Sequence, residues 1–343
     1  MRPRKFTAVL ALVLSACTIV SGQRKLPENS RAALQKPAKP IFVFHTDEFW
    51  LNLHHFLYVL GRAQNKTTDS SREAVIGAPA DQGKGLATLN ASERTVWNEA
   101  VAAYAATLSK KDLIFDDPLP AITKALAAAG EARPLTVDGI APETLAVLQR
   151  AEPIYRKAWW PAHRSANEAW RKSIQLLVDQ HGPTILSFIK HAYQFNWPEA
   201  GFDVHISAYS NWAGAYSTKG DLLVLSSLDE AIRGLYGLET IFHEGMHQWD
   251  AQVFDALRTQ ARLNNKFVPR GLSHALIFFT AGEAVRRVAP GHVPYAEKFG
   301  VWERGMMQFK QPIEQTWKPY LEGHGTRDEA IAALIKLAGE SKP

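Results

Sequence analysis

Apolar and polar positions follow two rhythms along this 343-residue chain. Between residues 41 and 200 apolar side chains recur at steps of three and four. That period predicts helices over residues 47–63, 92–109, 120–129, 142–150, 166–179 and 183–193. Residues 41–44 read as one short strand. Past residue 200 the period falls to two. Residues 202–209 alternate apolar and polar as a half-buried strand does, and 211–216 and 222–225 read as two more strands, joined by a turn at Lys219-Gly220-Asp221. Helical spacing then returns. Ser227 and Glu230 have the spacing of a capping box, and Leu235, Leu238, Phe242, Met246 and Trp249 form an apolar stripe. A second strong helical run covers 272–287. The fold class this predicts is α+β and predominantly helical: a helical lobe over 41–200, then a lobe over 201–343 with a small sheet and a helix that carries the chemistry. About 300 residues can bury a large core as one domain or two lobes.

The polar stripe of the helix near 240 is unusual. It consists of Glu239, His243, His247 and Asp250, with no Lys or Arg between its ends. Histidines four apart on a helix leave the same face, rotated by about 40° and separated by roughly 6 Å. This geometry suits two nitrogen ligands of one zinc ion, with Glu244 beside the first as general base toward a metal-bound water. His243-Glu244-Gly245-Met246-His247 is the HExxH pattern of the zincins.

A catalytic zinc needs a third protein ligand and an open position. The metzincin continuation fails, because Asp250 stands where Gly is required. Glu283 is the one carboxylate of the run 272–287 and lies between Gly282 and Ala284. Such a carboxylate is costly to bury unless it binds metal or pairs with a neighbour, here Arg286 or Arg287. His274, nine residues earlier, is half a turn out of phase with Glu283. Over residues 202–296 the chain resembles the gluzincins, zinc metallopeptidases with HExxH and a downstream glutamate. The resemblance implies a zincin-like half, Zn²⁺ on His243, His247 and Glu283, Glu244 as base, and a downstream Tyr295 or His292 as donor to the oxyanion, with Tyr295 preferred. It also implies a sheet edge that pairs with an extended peptide, for which 213–216 is the candidate. The expected activity is hydrolysis of peptide bonds in peptide or protein substrates. The alternatives are hydrolysis of another amide or ester, and an inactive zincin-fold scaffold. In the helical lobe, Asn52 and His55 are candidates to line the cleft. His163, His181, His191 and His205 lack ligand-like spacing.

The N-terminus adds a location. Arg2, Arg4 and Lys5 precede an apolar run over 6–16 that is too short to span a bilayer and reads as an export signal. Leu14-Ser15-Ala16-Cys17 resembles the lipobox of bacterial lipoproteins, and Cys17 is the single cysteine. The resemblance implies a signal peptide over 1–17, lipid on Cys17, a tether over 18–40, and membrane attachment through that lipid in the cell envelope. By the same resemblance to lipoproteins, Thr18 rather than Asp implies the outer membrane. The first 40 residues hold eight Lys/Arg against one Glu, more than the chain's whole excess of +5, so the remainder is slightly acidic. The basic balance therefore gives no reason to expect a nucleic-acid partner.

Overall fold

The computed structural model describes residues 39–65, 79–211, 213–218 and 222–341. The signal peptide, Cys17, the tether up to residue 38 and the turn at 219–221 lie outside the described residues. Lys39–Pro343 forms one compact unit. The elements are β1 (Phe42–His45), α1 (Phe49–Asn65), α2 (Gln82–Ala87), α3 (Ala91–Ala106), α4 (Leu119–Ala129), α5 (Pro142–Ala158), α6 (Trp160–Tyr193), β2 (Phe202–Ser207), β3 (Ala215–Thr218), β4 (Leu222–Ser226), α7 (Leu235–Met246), α8 (Asp250–Leu263), β5 (Lys266–Phe267), α9 (Leu272–Arg286), α10 (Tyr295–Lys298), α11 (Met307–Leu321), α12 (Arg327–Ala338) and β6 (Glu340–Ser341). The α+β, mainly helical class holds. Among the described residues no helix is long and apolar enough to cross a membrane.

Four strands form one mixed sheet in the order β1-β2-β4-β3. β1 and β4 flank β2 in parallel, and β3 runs antiparallel to β4 at the edge. β4 is buried along its whole length. Its side chains alternate between two cores, as a pleated strand requires. Leu223 and Leu225, with Val204 and Ile206 of β2, join the core of α6, α7 and α9. Leu222 and Val224, with Tyr216 of β3, join the core of α1, α3, α4 and α5. The sheet is thus a wall with a helical layer on each side. Residue 200 does not divide two bodies: β1, from the first half, is hydrogen-bonded to β2 from the second.

Two local expectations are corrected. Residues 166–179 and 183–193 belong to one helix, α6, with Pro183 inside it. Proline removes one N–H, yet Ile174, Val178, Ile185 and Ile189 on either side are buried in one core and hold the helix through it. The Ser227/Glu230 capping box does not form. The Ser227 hydroxyl donates to Asn167 Oδ1 at 2.6 Å, Asp229 caps a short 3-10 turn over Glu230–Ile232, and α7 begins after Gly234, whose φ of 56° is left-handed.

Candidate metal centre

α7 sits with its apolar stripe in the core, where Leu238, Phe242 and Met246 are fully buried. Its polar stripe turns toward α9. His243 is in the last turn of α7, and His247 begins a 3-10 turn, His247–Trp249, before α8. Gly245, between them, packs against Trp197. A Cβ there would lie 2.5 Å from that indole, so this position of the motif is fixed by packing.

The third member of the group is His274, in the first turn of α9. Ligand-capable nitrogens of His243, His247 and His274 all lie within 4.8 Å of one another. His243 Nε2 is 3.1 Å from His274 Nε2, and the three ring centroids stand 5.0–5.1 Å apart. Among the described residues this is the one such group of His, Cys, Asp or Glu. The ligand reading of Glu283 is corrected. Its Oε1 accepts from Arg286 Nη1 at 2.7 Å. Nine residues along a helix amount to half a turn, so when α9 turns His274 to α7 it turns Glu283 away. Phe278, one turn beyond His274, lies over the imidazoles of His243 and His274 with centroids 4.0 and 4.7 Å away.

The electrostatics keep two of the rings neutral. Burial, with repulsion from His247 and His274, holds His243 well below the usual histidine value. Burial, with repulsion from His247, lowers His274 to about 3. Burial acts the same way on His247, but the hydrogen bond from its ring to Asp250 and the charge of Glu244 outweigh it and raise its pKa. Asp250 receives His247 Nδ1 at 2.9 and 3.0 Å. This leaves Nε2 of His247 for a ligand, the arrangement by which a carboxylate orients a metal-binding imidazole. His243 Nδ1 is buried without a partner. Three imidazoles with one outer-shell carboxylate form a donor set suited to zinc or another imidazole-binding divalent ion.

Glu244 is buried beside the group, and Ser217 Oγ on β3 donates to its Oε2 at 3.0 Å. Burial raises its pKa, against the opposing pull of His247 and Ser217. The proposed edge strand proves to be the edge, two residues further on than expected: it covers Ala215–Thr218. Ser217 was missed for that reason. Tyr295 opens α10 and is half-buried. Burial, chiefly, and the carboxylates of Asp229, Glu239 and Glu244 raise its phenol to about 12, against the pull of Arg304. His292 is buried, with Nε2 donating to Glu239 Oε2 at 2.6 Å. Asn52 and His55 do not reach the cleft. Asn52 ties α1 to β2, donating to Ile206 O and accepting from the Ala208 amide, and His55 Nε2 meets Tyr216 OH at 2.9 Å. The chain matches no protein family, no curated protein and no solved structure.

Proposed function

We propose that this protein is a zinc-dependent hydrolase of peptide bonds. The observation that carries the reading is the convergence of His243, His247 and His274 beside Glu244, which itself is held by a sheet-edge residue. When bound, the ion would supply Lewis acidity and lower the pKa of water. Glu244 takes the proton from the attacking water and returns it to the leaving amine. Ser217 fixes one carboxylate oxygen while the other stays available. Tyr295 is the donor to the developing oxyanion. A peptide fits better than other amides or esters because β3, next to Glu244, is the last strand of its sheet among the described residues, and an extended chain can add to it by backbone hydrogen bonds.

Metal content tests the ligand set. Purified wild-type protein is expected to carry about one zinc per chain. His274→Ala is expected to lose most of it, whereas Glu283→Ala should keep it. Zinc retention by the first variant and loss by the second would restore the glutamate ligand and refute the three-histidine site. The lipobox reading adds an envelope location and its own check. Cys17→Ser is expected to move the protein out of the membrane fraction, and an unmodified wild-type N-terminus beyond residue 17 by mass spectrometry would rule the anchor out.

A further inference from the structure

We infer that Glu239 is a positioning residue of the site: its buried carboxylate fastens the segment 292–295 to the helix of His243 and Glu244 and so sets where the Tyr295 phenol stands. The role given to Tyr295 rests on the hydrolase reading; the fastening itself does not.

Glu239 lies one helical turn before His243 on the same face of α7. Its side chain is 1% exposed. An unpaired carboxylate there would cost several kcal/mol, yet Glu239 has well-aligned partners. The backbone N–H of Tyr295 donates to both of its oxygens at 2.9 Å, and His292 Nε2 donates to one of them at 2.6 Å. Each of these partners lies in the segment that leads into α10. The segment is pressed onto α9 as well. A Cβ at Gly282 would lie 2.6 Å from Pro294 Cβ and 3.4 Å from Glu239 Oε1, so only glycine lets Pro294 and the carboxylate come this close.

A second clamp grips the same segment from α9. Arg286 Nε donates to His292 O at 3.2 Å and its Nη2 lies 3.6 Å from Glu297 of α10. Glu283 holds that guanidinium at 2.7 Å. The carboxylate expected on the metal therefore helps to hold this segment instead. Two charged clamps within the six residues 292–297 fix a position more narrowly than apolar contact does, because hydrogen bonds are directional. What they deliver is the start of α10, where the Tyr295 ring packs on Phe299 at 4.5 Å and near Tyr236 at 6.4 Å. His292 is spent on the tie, since its Nε2 faces Glu239. That leaves Tyr295 as the donor.

A misplacement of about 1 Å in such a donor costs up to about 10²-fold in rate. Glu239→Gln keeps the shape but can accept through only one oxygen. It is expected to lower kcat by about 10- to 10²-fold, with KM within about twofold and zinc content unchanged. In a cycle with Tyr295→Phe the two losses should not multiply, because each removes the same donor. Amide exchange over residues 292–299 should quicken in Glu239→Gln, in protein with or without zinc. If Glu239→Gln fails to fold, His292→Ala, which removes one of the two donors, should show the same kcat loss and faster exchange to a smaller degree. Multiplying losses in the cycle, or unchanged exchange, overturns the inference. Unchanged turnover in Glu244→Gln would instead overturn the hydrolase reading and leave the exchange result standing on its own.

Discussion

Glu244→Gln is expected to leave fold and zinc content intact and to reduce peptide hydrolysis by at least about 10²-fold, the scale of a positioned proton-transfer group. The carboxylate is not among the three nitrogen donors, so an amide at this position need not disturb metal binding. The Gln side-chain oxygen can still accept from Ser217 Oγ, which donates to Glu244 in the native site. What the amide cannot do is take a proton. The measurement is turnover of one peptide by both proteins, chosen from a library by cleavage that a zinc chelator abolishes. Equal rates would remove Glu244 from the mechanism.

Acid should destabilise the folded protein through the far side of the sheet. His54 and His55 are completely buried in α1. His54 Nδ1 meets Tyr104 OH at 3.0 Å and His55 Nε2 meets Tyr216 OH, while the other ring nitrogen of each has no partner. Burial lowers His54 to about 3. Burial, and then repulsion from His54 and His205, holds His55 well below its ordinary value. Both are neutral in the native state and titrate near 6.5 once unfolded. Their contribution is therefore fully present above about pH 6.5 and is lost as pH falls toward the folded values. Each protonation costs about 1.4 kcal/mol per pH unit. Between pH 6 and 4 His54 removes roughly 2.5 kcal/mol, and His55 adds to the loss in the same direction. Urea unfolding across this range reads the slope. His54→Phe should reduce it by about one proton whatever the variant does to absolute stability, and an unchanged slope would show that His54 is protonated in the native state.

The helices and the HExxH pair were legible because their signals are local: periodicity for α1, α3 and α4, and two histidines at helical spacing across the end of α7. The third member of the histidine group was not, because it depends on which face α9 shows to α7. The half-turn phase between His274 and Glu283 was readable, and it meant that choosing one excluded the other. The burial cost of a lone carboxylate and the resemblance to gluzincins both point to Glu283, whereas tertiary packing brings the imidazole of His274 to the pair. Asp250 stood in the polar stripe and proved to be the partner of His247. Ser217 and Glu239 could not be assigned from spacing alone. Their partners lie 27 and 53–56 residues away in the chain. Pro183 shows the converse, a strong local break signal overruled by burial on both sides.

Strand β3 has a consequence for how this chain can be recombined. Neighbouring side chains on a strand point to opposite faces. Tyr216 accordingly reaches His55 in one core while Ser217 reaches Glu244 beside the histidine group. The edge on which a substrate would lie is therefore cast from two moulds at once. A crossover near residue 200 that brought in a foreign N-terminal half would change the surface on which Tyr216 rests, and with it the footing of Ser217. The two halves of this chain are not interchangeable modules. They must vary together wherever β3 touches both.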